Sequence, residues 1–265
     1  MEERTINNPG LLRFEDFAKA MLITDAAYSN SLIFRDSTQL CITFEADYAS
    51  VSNLIPEPLA FSNDRPIGTL TILHNAFSTV GSYYEALLSY RVSFQNRTYS
   101  YMVGTLVTGE AALLAGREMY GYPKRLADIR IESSDNTVIG TVACHKQNPM
   151  IRLMIRPETP ILTDERQRFP ELCLRMIPSV DPAAPPRICE LVTMSGVPSV
   201  IKTASDGMLD YWTGNCHLVW DDSAIDPAWR RPKELRILSC HSIKTVGSRI
   251  DRGTVVYDYL SQKNS

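Results

Sequence analysis

The chain has 265 residues, 44% hydrophobic and 22% charged, an ordinary globular composition. A net charge of -3, with Lys and Arg scattered along the chain, excludes the basic face that a nucleic-acid partner needs. No stretch reaches the run of about 18 apolar residues that a membrane span requires, and Met1-Glu2-Glu3-Arg4 lacks the basic start of a secretory signal.

The expectation is therefore a soluble, cytoplasmic protein without nucleic-acid or membrane partners. Cys41, Cys144, Cys173, Cys189, Cys216 and Cys240 are far apart and contain no C-x-x-C pair, so they read as reduced thiols rather than a disulfide frame or zinc site. His74, His145, His217 and His241 show no metal-ligand spacing, and no metal is expected. The sequon Asn96-Arg97-Thr98 is then accidental, because glycosylation also needs secretion. No repeat, low-complexity segment or long linker divides the chain, which implies a single domain over residues 1–265.

In chain order, Phe14–Leu22 carries a helical stripe of Phe14, Phe17, Ala18 and Met21. Leu40, Ile42 and Phe44 alternate with Cys41, Thr43 and Glu45 as in a half-buried strand. Two β-rich runs, Tyr90/Val92/Phe94 and Tyr99/Tyr101/Val103, flank Gln95-Asn96-Arg97 and predict a hairpin. Residues Gly109–Met119 hold the helix formers Ala111 to Ala115, with Gly121 as a stop and Pro123 beyond it. A second hairpin joins Ile129–Ile131 to Val138–Val142, and a strand at Ile151–Ile155 follows the Asn148-Pro149 turn. The Pro-rich stretch Asp181–Pro186 reads as a surface turn, and Arg187–Met194, His217–Trp220 and Thr254–Tyr259 as further strands. Many short strands with few helices predict a mainly β (α+β) fold, an antiparallel barrel or sandwich with peripheral helices.

Lys124 falls where the expected helix gives way to a strand. Pro123 fixes its own φ and holds Tyr122 extended, so the approach to this lysine is stiff. Taken alone, Pro123-Lys124-Arg125 is a solvated basic pair, because lysines are mostly exposed. Two features weigh against that reading. Met119, Tyr120, Tyr122 and Leu126 supply apolar surface, and Arg125 a neighbouring cation; both disfavour a charged amine. Successive strand residues point to opposite faces, however, so Arg125 need not touch the amine.

Six landmarks run nearly end to end: Ile55-Pro56-Glu57-Pro58-Leu59, Gly81-Ser82-Tyr83-Tyr84-Glu85, Gly116-Arg117-Glu118 through Leu126, Pro186 through Leu191, Trp212-Thr213-Gly214, and Val256 through Leu260. In this order they make the chain resemble the acetoacetate decarboxylase family. The resemblance implies a barrel-like fold, a cofactor-free Schiff-base lyase acting on a small keto acid, and a homo-oligomer. It assigns the Schiff base to Lys124, with Arg125 where the family usually has a second lysine, and Glu85 as an acid for proton transfer or substrate positioning. Activation of such an amine by desolvation or a neighbouring cation is the established pattern for this family. Tyr122 is expected in the pocket wall, and His74 in a packed or hydrogen-bonded role.

Two departures stand out. The family's second pocket glutamate would fall on Thr69 or Leu70, where there is no acid. Its pocket arginine would fall nearest Ser37 or Thr38, and Arg35, two residues before Ser37, is the candidate to bind a substrate carboxylate. The leading expectation is decarboxylation of a β-keto acid to a ketone and carbon dioxide. The alternatives are aldolase or dehydratase chemistry through the same enamine, and a non-catalytic binding protein on the same fold.

Overall fold

A computed structural model describes residues 31–144, 149–221 and 226–261. The expected helix at Phe14–Leu22, His145 and Asn148 lie outside these residues. The described chain is dominated by one sheet of 15 strands. They are β1 (Ser31–Glu45), β2 (Ala60–Phe61), β3 (Ile67–Ser78), β4 (Tyr83–Phe94), β5 (Arg97–Val107), β6 (Lys124–Leu126), β7 (Asp128–Ser134) and β8 (Thr137–Ala143). The second half contributes β9 (Ile151–Pro160), β10 (Glu171–Ile177), β11 (Ile188–Thr193), β12 (Gly196–Ile201), β13 (Tyr211–Trp220), β14 (Arg236–Asp251) and β15 (Thr254–Asp258). Helix is sparse: α1 (Tyr48–Val51), α2 (Glu110–Ala115), and short turns of 3-10 or π type. No helix among the described residues is long and apolar enough to cross a membrane.

Both expected hairpins are present, and their turns are tight. Gln95 and Asn96, at φ 49° and 61°, join β4 to β5, and Asp135, at φ 51°, opens the turn from β7 to β8. Two consecutive positive-φ residues give a turn whose twist matches the flanking strands.

The strands run in the order β15-β11-β10-β5-β4-β3-β1-β14-β13-β9-β8-β7, with β12 on β14, β2 on β4 and β6 on β5. The expected barrel is not formed. The terminal strands of this path, β15 and β7, do not pair, so the sheet stays open. The β7-β8-β9 end instead folds back over β1 and β3 by side-chain packing. Ile129, Val142 and Leu153 share a core there with Leu40, Ile42 and Ile72. Gly140 permits the close approach: a Cβ at this position would stand 3.0 Å from Ile72 Cδ1 and 3.1 Å from Leu40 Cδ1. Apolar contact is non-directional, so it covers the sheet without the ladder that closure requires.

Alternation along β1 and β3 gives the sheet two different faces. Leu40, Ile42, Leu70 and Ile72, all fully buried, enter the core, while Gln39, Cys41, Thr69 and Thr71 line a cavity on the other side. The phase of β1 changes at Asp36, whose φ is 50°. Phe34 and Ser37 both face the cavity, and Arg35 and Asp36 between them are exposed.

Trp229 plugs the core against β5, where Gly104 leaves room: a Cβ there would lie 2.7 Å from Trp229 Nε1. Trp220 Nε1 donates to the Trp229 carbonyl at 2.9 Å. Trp229 is 1% exposed, so Trp229→Ala is expected to lower unfolding free energy by about 3–5 kcal/mol. Urea denaturation with an unchanged m-value measures this; a loss below about 1 kcal/mol would contradict the assigned packing.

Candidate active site

The lysine is delivered by a helix that widens before it ends. After α2, Gly116–Tyr120 forms a π turn, closed by Gly121 at φ 77°. A side chain at Gly121 would be strained by that φ and would also strike the Arg175 backbone, 2.5 Å from the Cβ position. Tyr122 and Pro123 then run out to β6, which joins β5 in parallel with Lys124 opposite Thr105. Arg117 Nη1 donates to the Lys124 carbonyl at 3.1 Å, tying the turn to the strand it feeds.

Lys124 is 7% exposed and Glu85, on β4, 6%. Lys124 Nζ stands 2.8 Å from Glu85 Oε1, at an angle poorer than a well-aligned hydrogen bond requires. The same ammonium lies 5.6 Å from the Tyr83 ring centre and 5.3 Å from that of Tyr122, within range for attraction to aromatic faces. The lysine stem passes against Gly116, where a Cβ would sit 2.5 Å from Lys124 Cε and 3.0 Å from Nζ. Glycine there leaves room for the amine.

Polar support extends from Glu85 in one direction. Tyr83 O–H donates weakly to Glu85 Oε2 at 3.4 Å, the Asn75 side chain hydrogen-bonds Tyr83, and Ser37 Oγ donates to Asn75 Oδ1 at 2.6 Å. Burial, and then the Glu85 charge, push the Tyr83 phenol well above its ordinary range, so it stays a neutral donor.

A second acid, Glu171, enters from the start of β10. Tyr122 O–H donates to Glu171 Oε2. Burial raises the Glu171 pKa from its ordinary value, the Glu85 charge adds to this, and the Tyr122 hydrogen bond and Lys124 oppose it. Tyr122 is itself pushed well above the usual phenol range, by burial first and then by Glu171. Lys124, Glu85, Tyr122 and Glu171 all line one cavity of about 880 Å³.

The structure thus brings three of the expected site residues together: Lys124, Glu85 and Tyr122. The other two lie elsewhere. Arg35 is exposed and does not line the cavity, because Asp36 switches the strand phase after it. Ser37 occupies the cavity-facing place instead. Arg125 turns to the opposite side of β6, with Nη1 3.3 Å from Asp226 Oδ2 and a side chain 63% exposed. Leu126 is exposed too, so the apolar cover over Lys124 comes from elsewhere. His74 stacks on Tyr84 with ring centres 4.2 Å apart and is within 3.3 Å of Ser82 Oγ.

Glu171, Tyr83 and Asn75 escape sequence reading. Tyr83 carried a usable signal, since it stands two residues from Glu85 and shares its strand face. Glu171 follows Pro170 and precedes Leu172-Cys173-Leu174, so it passes for a solvated residue at a strand start.

Two outcomes follow from this geometry. Gly116→Ala should retain the fold yet displace the amine, lowering turnover about 10²-fold, the scale of a misplacement near 1 Å. Circular dichroism beside steady-state kinetics measures both, and full activity in a folded variant would refute the contact. For Glu171, the folded pKa exceeds the unfolded one. Its penalty is therefore absent below the unfolded pKa, grows as pH rises through the folded value, and is then constant. Glu171→Gln should remove that loss, so thermal unfolding of the variant should vary less than that of the parent as pH rises from the ordinary glutamate pKa through the raised one. Parallel pH profiles would contradict the burial described here.

A family model, Acetoacetate decarboxylase, matches residues 22–260. The chain is 29% identical over 250 residues to an acetoacetate decarboxylase of Ralstonia nicotianae, covering 92% of this chain and 96% of that one. A solved structure of acetoacetate decarboxylase superimposes with a TM-score of 0.80 at 24% identity, over 94% of this chain and all (100%) of the other. An enduracididine biosynthesis enzyme complexed with pyruvate shares the fold at a TM-score of 0.67 and 14% identity, over 86% of this chain and 91% of its own. With the family model spanning nearly the whole sequence, the chain belongs to the acetoacetate decarboxylase family.

Proposed function

We propose that this chain is a carbon–carbon lyase that decarboxylates a β-keto acid through a Schiff base on Lys124, giving a ketone and carbon dioxide. The observation that carries this reading is the buried Lys124–Glu85 pair at 2.8 Å, facing a cavity in a member of this family.

Proton transfer from Lys124 Nζ to Glu85 leaves a neutral amine and a neutral acid. The amine attacks the ketone, and Glu85 returns the proton to the departing hydroxyl, so that water leaves and an iminium forms. The bond to the carboxylate then breaks, its electron pair flows to the iminium nitrogen, and carbon dioxide departs from an enamine. Protonation at carbon and hydrolysis release the ketone and the amine, with net uptake of one proton. Covalent catalysis of this kind divides one difficult step into easier ones. Glu171, with its raised pKa, is suited to supply the proton to carbon, and Tyr122 holds it in place. Arg125 acts only from a distance, since its partner is Asp226.

Composition and family support a soluble cytoplasmic homo-oligomer of this one unit, acting without cofactor on a small carbonyl substrate. One observation favours a second reading. Ser37 faces the cavity near the place where the family's arginine would fall, and Glu171 supplies an acid from a different strand. A changed set of acids around the same amine could steer the enamine to aldol or dehydration chemistry, and a protein of this fold is known complexed with pyruvate.

The test is carbon dioxide release from acetoacetate and longer 3-oxo acids. Wild-type protein should release it, and Glu85→Gln should lose about 10²–10⁴ in kcat. Lys124→Ala alone strands a buried carboxylate, a cost of about 3–5 kcal/mol, so the Lys124→Ala/Glu85→Gln double variant serves as the folded inactive control. Turnover by that double variant would overturn the assignment. Absence of carbon dioxide release, with covalent capture of pyruvate or aldehydes, would establish the second reading in its place.

A further inference from the structure

The cavity is much larger than a four-carbon keto acid needs. At about 880 Å³ it lies toward the top of the roughly 300–1,000 Å³ range of small-molecule pockets. Its far wall contains Arg91, which shares the cavity face of β4 with Glu85. Arg91 is six positions further along the strand, about 20 Å of extended chain.

Arg91 stands out among the cations that line the cavity. Arg166 and Arg168 are both held by Asp164, with Arg166 Nε 2.7 Å from Asp164 Oδ1. Arg91 makes no ion pair with a carboxylate among the described residues. Its guanidinium lies over the Phe169 ring, 5.1 Å from the centre, and makes no hydrogen bond to another side chain among the described residues. Partial burial without an anion disfavours the charge, which pushes its pKa down.

The floor between the two ends is mixed, with Leu87 lining it from β4 between Glu85 and Arg91. Thr69 and Thr71 line it from β3 and Gln39 from β1. Ser100 Oγ donates to Ser89 Oγ at 2.9 Å, and Ser100 pairs with Arg91 on one side and with Glu171 on the other. A plain alkyl tail would leave these groups facing hydrocarbon.

We propose that the cavity takes an elongated keto acid, with its ketone at Lys124 and a second, terminal carboxylate at Arg91. This rests on the Schiff-base reading above. A planar guanidinium pairs with a carboxylate through two parallel hydrogen bonds, which fixes orientation as well as affinity. Phe169 stacks on the guanidinium and helps hold it for that contact.

The experiment compares 3-oxo dicarboxylic acids with 3-oxo monocarboxylic acids matched in chain length, in a series from about six to about fourteen carbons chosen to bracket the 20 Å span. Wild-type kcat/KM for the best diacid should exceed that of its matched monoacid by tenfold or more, mainly through KM. In Arg91→Gln that diacid-to-monoacid ratio should fall about tenfold, and Arg91→Lys should retain part of it. An unchanged ratio in Arg91→Gln, with both substrates slowed alike, would mean that Arg91 only packs on Phe169, and would overturn the proposal. Wild-type turnover of short keto acids without any diacid preference would overturn it too, while leaving the Schiff-base reading intact. Turnover of no keto acid at all would sink both.

Discussion

Lys124 and Glu85 meet at 2.8 Å in a part of the molecule that water barely reaches. Removing two charges from water carries a penalty of several kcal/mol per ion, and mutual attraction offsets it only when geometry and further hydrogen bonds are good. The surrounding structure supplies further contacts to both members of the pair. Tyr83 reaches Glu85 from the same strand face, Asn75 and Ser37 extend the network, and the Tyr83 and Tyr122 rings flank the ammonium. A pair of this kind is a poor way to stabilise a fold, since apolar residues of similar size do as well or better. Its presence in a cavity wall is better understood as stored reactivity: one proton shift turns it into an amine nucleophile and an acid.

The backbone around Lys124 serves that purpose at each step. The π turn sets Gly116 against the lysine stem, where only a hydrogen fits. Gly121 adopts a left-handed conformation so that the chain can leave the helix close to Arg175. Pairing of β6 with β5 is parallel and three residues long, and it puts Lys124 inward and Arg125 outward. The open sheet matters as well. One face of β1 and β3 carries the fully buried core, and the other face is free to carry threonines, glutamine and serine into a large cavity.

Parts of this were legible in the sequence for identifiable reasons. Gln95-Asn96 and Asp135-Asn136 advertise their turns, and Leu40, Ile42 and Phe44 show their alternation because one side of that stretch of β1 is buried and apolar. The segment through Lys124 was recognisable as a motif, and its glycines and proline have direct steric reasons. Strand β14, 16 residues long, shows no clear period in the sequence, because Ser239, Ser242, Thr245 and Ser248 blur the contrast between its faces. Barrel closure depends on whether β7 and β15 meet, and no local pattern encodes a meeting between strands so far apart. Arg35 lies off the cavity because a single positive φ at Asp36 reverses which residues face inward, and that reversal leaves no mark in the local pattern. Glu171 leaves no signal in its own segment, because its cover comes from Tyr122 and neighbouring strands.

The central claim is that one amine, Lys124, carries the substrate covalently. Borohydride reduction during turnover of a 3-oxo acid, followed by peptide mass mapping, tests it directly. A single reduced adduct on the peptide containing Lys124, with the mass of the ketone product, is the predicted result. No adduct, or an adduct on another lysine that persists in the Lys124→Ala/Glu85→Gln double variant, would contradict the account.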